Sequence, residues 1–166
     1  GDDGSEYGQA FPATAEEDAL QPGETAYLNT TVDAENTRVN FGAMAWADDT
    51  VIEVQPVDPA DTPLGNAVMT TLDFGESVQI NDIASSFSLG DIEDYLLSAT
   101  VTSGSAVVYA SVLDGNSTNP GTSDPTTIRP VTDGSETVTL LELGPVDGYD
   151  EFSGSASITN LSDTAA

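Results

Sequence analysis

The chain has 166 residues with 29 Asp+Glu against 2 Lys+Arg, no His and no Cys, a formal net charge of −27. These numbers exclude most enzyme chemistry, because the chain offers no imidazole, no thiol and no lysine amine. They also exclude nucleic acid and anionic lipid as partners, since Arg38 and Arg129 are the only cations and the field repels polyanions.

The length suits one domain with terminal extensions. The expected division is an N-terminal extension at 1–20, a β-sandwich domain at 21–131 and a C-terminal extension at 132–166. The acid load fits adaptation to salt, where carboxylates hold water while charge is screened; an acidic secreted surface is the plainer alternative. The first residues, Gly1-Asp2-Asp3-Gly4, lack Met, and no apolar run is long enough for membrane insertion. The expectation is an extracellular or cell-surface protein after signal-peptide removal. Sequons at Asn29, Asn116 and Asn160 make it a candidate glycoprotein.

Residues 1–20 are polar and acidic, with an apolar patch at Tyr7, Ala10 and Phe11 and a break at Pro12. The turn Gln21-Pro22-Gly23-Glu24 opens a series of short strands. Thr25–Val32 places Ala26, Leu28, Thr30 and Val32 on one face. Arg38–Trp46 sets Val39, Phe41, Ala43 and Ala45 against Asn40, Gly42, Met44 and Trp46. Thr50–Val57, Ala67–Leu72 and Ser77–Ile80 follow between Gly/Pro turns. Asn81–Leu97 is expected to form short helical pieces in a crossover loop, capped by Asn81 or Asp82 and by Asp91. Leu97–Thr102 and Ala106–Leu113 resume the strands, and the second is expected to be central, with Tyr109 in the core. A turn-rich loop at 114–125 leads to one closing strand, Thr126–Val131. Two more candidates, Glu136–Leu143 and Ser155–Leu161, flank an acidic loop. Short strands at this spacing predict an all-β antiparallel sandwich.

Residues 38–130 resemble an immunoglobulin-like β-sandwich repeat of secreted bacterial surface proteins. The resemblance rests on Arg38, Asn40 and Gly42; on Gln79, Asn81, Asp82 and Ile83; and on Val108-Tyr109-Ala110-Ser111-Val112 with Asp114. The loop Asn116 to Pro125 matches in kind but is longer than the pattern. The resemblance implies an immunoglobulin-like fold and says little of activity, because such folds host many functions. Ser155–Ala166 looks like the opening strand of a further repeat, which would fold back onto its own sandwich, insert in a neighbouring subunit, or belong to a longer array.

Several constellations invite chemistry. Asp114, Asn116 and Asp124 put oxygen ligands on one loop, as calcium requires. The same residue types also fill tight turns, and the EF-hand register fails at Asn119 and Pro125. The cluster Asp147, Asp150 and Glu151 and the set Asp48, Asp49 and Glu53 are weaker metal candidates. No other cofactor is expected. Trp46, Tyr27, Tyr95, Tyr109 and Phe41 include candidates for stacking on a glycan ligand, although core packing explains such rings as well. Tyr7, Phe11, Tyr149 and Phe152 lie outside the expected sandwich, and Arg38 and Arg129 are each expected in an ion pair or neutralising a local acid cluster.

The expectation for function is a non-enzymatic, pilus-like extracellular subunit that self-associates into filaments or arrays. The mechanism would be strand donation: residues 5–20 or Ser155–Leu161 complete a sheet in the next copy. Tyr7, Phe11, Ala156, Ile158 and Leu161 are the expected interface residues. The alternative is a carbohydrate- or calcium-binding accessory module, or a spacer repeat, of a secreted protein. The charge itself makes a prediction. The thermal midpoint should rise from low to high NaCl; a midpoint that stays flat or falls would contradict the self-repulsion argument.

Overall fold

Alternation of apolar and polar residues along each strand dictates which face turns inward. The computed structural model describes residues 15–30, 37–90, 92, 95–114, 126–128 and 130–132. A 3-10 turn at Glu16–Asp18 precedes β1 (Thr25–Asn29), β2 (Thr37–Ala45), β3 (Thr50–Val57), β4 (Val68–Leu72) and β5 (Ser77–Ile80). A one-turn helix, α1 (Ile83–Ser86), lies on the crossover to β6 (Leu96–Ser103) and β7 (Ala106–Asp114); β8 (Thr126–Ile128) and β9 (Val131–Thr132) follow. The strands form an all-β sandwich. One sheet runs β4-β3-β6-β1-β9 and the other β5-β2-β7-β8, with antiparallel pairs throughout.

The inward faces of β1 and β2 are those the alternation predicts. Ala26 and Leu28, then Val39, Phe41, Ala43 and Ala45, then Ile52 and Val54 are all buried. Leu97, Ala99 and Val101 of β6 meet Ala106, Val108 and Ala110 of β7 in the same core. Alanines in both sheets leave room for Phe41, and each large side chain buried here contributes about 1.5–3 kcal/mol. Ile83, Phe87, Leu89 and Tyr95 from the crossover join this cluster. Asp82 caps α1 by accepting the Ser85 N–H at 3.2 Å, and its own N–H donates to the buried Asn40 Oδ1 at 3.0 Å. Among the described residues no helix is long and apolar enough to cross a membrane.

Tight connections carry the chain from sheet to sheet, among them 46–49 between β2 and β3, 73–76 between β4 and β5, and 104–105 between β6 and β7. Thr50 ties two of them together. Its hydroxyl donates to the Ala47 carbonyl at 2.7 Å and accepts the Ser105 N–H at 3.3 Å. Gly104 lies against it with φ +71, so close that a Cβ there would stand 2.7 Å from the Thr50 Cα.

Two expectations are corrected. The single closing strand expected over Thr126–Val131 is two strands in different sheets, β8 on β7 and β9 on β1. Pro130 sits at the crossing, where a residue with no N–H to donate interrupts a ladder. Tyr109, expected in the core, faces outward. Its cross-strand partner is Gly42, and its ring covers that glycine so closely that any Cβ at 42 would collide with it. The run Val107–Leu113 is apolar on both faces, so hydropathy alone did not reveal which parity points inward. Burial raises the Tyr109 phenol pKa above its ordinary value.

The sandwich also includes residues placed in the N-terminal extension. Ala19 and Leu20 are buried, and Leu20 exchanges backbone hydrogen bonds with Ala106 at 2.8 and 3.1 Å. The strand candidates 136–143 and 155–161 lie outside the described residues, as does the second helical cap at Asp91.

Gly104→Ala should therefore cost about 2 kcal/mol or more, from a left-handed backbone and a backbone clash together. Gly23, with φ +89 and nothing within 4 Å of a Cβ, should lose less as Ala. Urea midpoints of the two variants compare these costs, and equal losses would remove the special role of the Thr50 contact.

Candidate functional site

A strand at the end of a sheet presents unpaired backbone N–H and C=O groups, and proteins usually blunt such edges with charge, proline or bulges. β4 is such a strand: it ends the five-stranded sheet and pairs with β3 alone among the described residues. Its sequence, Val68-Met69-Thr70-Thr71-Leu72, holds no charge and no proline. Val68, Thr70 and Leu72 share the core-side face with Val54, Ile52 and Thr50, their register partners. Leu72 is buried, but Val68 remains 40% exposed, so no described residue fully covers the core side there. Met69 points to the outer face opposite Glu53 and is 61% exposed.

The approach to β4 is held in shape. The Asp58 carboxylate accepts the Ala60 and Thr62 N–H groups, each at 2.8 Å, and the Leu64 N–H donates to the Pro56 carbonyl. The Thr62 N–H bond, with help from Ala60, holds the Asp58 pKa below the usual carboxylate value.

The exit is held as well. At the turn after β4, the Phe74 N–H donates to Asp48 Oδ1 at 3.1 Å and the Gly75 N–H to the Ala45 carbonyl at 2.9 Å. These bonds fix Phe74 at the apex with 63% of its surface exposed. Its ring meets Trp46 edge-on, with centroids 6.4 Å apart and planes at 64°. The Trp46 indole N–H is buried without a partner among the described residues. Met44, on β2 opposite Ser77 of β5, is also exposed. Of the five large apolar residues exposed among the described residues, only Ile92 lies away from β4, its following turn and the neighbourhood of β5.

The last described strand stands at the far edge of the sheet. β9, which leads to residue 133, ends the same sheet at the edge opposite β4. Leu20 pairs with Ala106 on the flank of β7 facing away from β2.

The expected interface residues Tyr7, Phe11, Ala156, Ile158 and Leu161 lie outside the described residues. So do Asn116, Asp124, Asn160, Arg129 and the set Asp147, Asp150 and Glu151. Asp114 is the last residue of β7. Asp48, Asp49 and Glu53 do not converge: no group of three acids arranged for a metal exists among the described residues. Asp48 is engaged with Phe74, Asp49 occupies a turn at φ 53, and Glu53 faces the outer surface beside Met69. Asn29 is half-buried at the end of β1, and the next residue of its sequon, Thr30, is buried with its hydroxyl donating to the Tyr95 carbonyl. Phe41 and Tyr95 are core residues, and burial raises the Tyr95 phenol pKa. Arg38 is exposed opposite Leu113 and has no ion pair with a described residue. Sequence reasoning found the strand β4 and missed its place at an edge. The one signal available was its lack of charge in so acidic a chain.

No family model and no curated protein matches the chain. One solved structure does, described as the crystal structure of Thermotoga maritima 1070, at 11% identity over 69% of this chain and 93% of that one, with a TM-score of 0.43. So distant a likeness carries no argument about function.

Trp46 is the sole tryptophan, so its emission reports on this site. Phe74→Ala should shift that emission to the red by uncovering the indole edge. An unchanged spectrum would mean that Phe74 does not shield Trp46 in solution.

Proposed function

We propose that this chain is a non-enzymatic structural subunit of the cell exterior, whose copies join into filaments or surface arrays by strand addition. The observation that carries the reading is the uncharged β4 edge, with Val68 and Met69 exposed on it. An added strand meets open backbone groups there and covers the exposed core side of Val68. Main-chain hydrogen bonds supply the affinity, and alternate side chains set the register. The free edge and the continuing chain stand at opposite ends of one sheet. A joint between two such different surfaces is heterologous, so it propagates rather than closing into a dimer.

Charge sets the conditions for assembly. At −27 per subunit, copies repel at low ionic strength. Screening shortens that repulsion from about 10 Å at 0.1 M salt to about 3 Å at 1 M. The acidic composition and the three sequons support the exterior location.

A second reading, a carbohydrate-binding accessory module, draws on the Phe74–Trp46 pair, because an exposed ring held by backbone bonds suits stacking on a sugar. Negative-stain electron microscopy of the full chain at high salt separates the two. Regular filaments are expected. Dispersed particles would overturn the structural reading, and quenching of Trp46 by an added glycan would then favour the module.

A further inference from the structure

When two copies of a strongly acidic chain pair, like charges meet unless both partners are neutral. The longest charge-free run, residues 95–113, is used up in β6 and β7 at the centre of the fold. The next two are Thr62–Leu72 and Phe152–Ser162, eleven residues each. The first contains the open edge β4. The second contains Ser155-Ala156-Ser157-Ile158-Thr159-Asn160-Leu161.

We infer that residues 155–161 of one copy add to β4 of a second copy and extend its five-stranded sheet. This assignment rests on the structural-subunit reading above and names both halves of its joint. The pattern of the segment suits the edge. In an extended strand Ala156 and Ile158 share one face, which falls on the core side beside Val68 and Thr70. Ser155, Ser157 and Thr159 then fall on the outer face. That face already carries Thr71, Ser98, Thr25 and Thr100, the last two bonded through their hydroxyls at 2.8 Å.

Reach and exclusion agree with the assignment. Residues 133–154 connect β9 to the segment and span at most roughly 75 Å when extended. The width of a five-stranded sheet is about 19 Å, so the linker is long enough to carry the segment past its own sheet to a neighbouring copy. The N-terminal alternative is poorer. Pro12 follows Phe11 directly and cannot donate to a ladder, and the chain is fastened to its own core at Leu20.

Two substitutions test the joint in the full-length chain at high salt, read by sedimentation velocity. Val68→Lys spoils the acceptor and leaves the donor; Ile158→Lys spoils the donor and leaves the acceptor. Both lower the negative charge equally, so general salting-out predicts no loss of assembly for either. Each alone is expected to stay monomeric. Mixed in equal amounts they should form complexes of two copies and nothing longer, since only one joint is intact. As a check that needs no variant, a synthetic peptide of residues 152–162 should shorten wild-type polymers, and the same peptide with Ile158→Lys should not. Polymers from both variants alike, with no effect of the peptide, would overturn the assignment while leaving the filament reading standing. Monomeric variants that do not complex when mixed would place the segment on its own β4 and overturn the joint between copies. A wild-type chain that stays monomeric at every salt concentration would remove the filament reading and this inference with it.

Discussion

The contact between Thr50 and Gly104 governs the geometry of the sandwich. It joins the turn leaving β2 to the turn leaving β6, and so fixes how the two sheets stand over each other at one end. The approach is tight because a glycine with positive φ lets two backbones meet where a side chain would hold them apart. The inward alternation of β2, β3, β6 and β7 then closes on a single core built around Phe41, Ile52, Leu97 and Val108.

A sandwich joined in this way has sheet edges, and the chain treats them unequally. On one side stand β8 and β9, from which the polypeptide continues. On the other stand β4 and β5, linked by a turn that projects Phe74. Neither β4 nor β5 carries a lysine, a proline or an inward-pointing charge. Among the described residues no such local protection stands at β4, and the long-range field of the acidic surface opposes pairing there. Such protection has a property that a local gatekeeper lacks: it weakens uniformly as salt is added.

Much of the fold was legible in the sequence. The inward residues of β1 and β2 followed from period-two alternation, and Ser77–Ile80 was found to the residue. The helical turn in the crossover was visible because Asp82 stands before Ile83 as a cap. Where the pattern was ambiguous the reading failed. Val107–Leu113 is apolar on both faces, and only the pairing of Tyr109 with Gly42 shows that the aromatic ring serves as a lid over a glycine on the outside. At Thr126–Val131 the strand pattern was read straight through, but Pro130 marked a change of sheet that hydropathy does not register.

By itself the sequence determined the positions of β1 to β7, the inward faces of β1 and β2, the charge, and the lack of imidazole, thiol and amine groups. These are properties of single residues and their near neighbours. Which strand stands at an edge is a different kind of property. β3 lies beside β6 because residues such as Val54 and Ala99, distant in the chain, pair across the sheet, and β4 is left outermost as a consequence. An open edge is what remains after all long-range pairing is complete, so only the tertiary structure decided that the uncharged strand Val68–Leu72 faces outward.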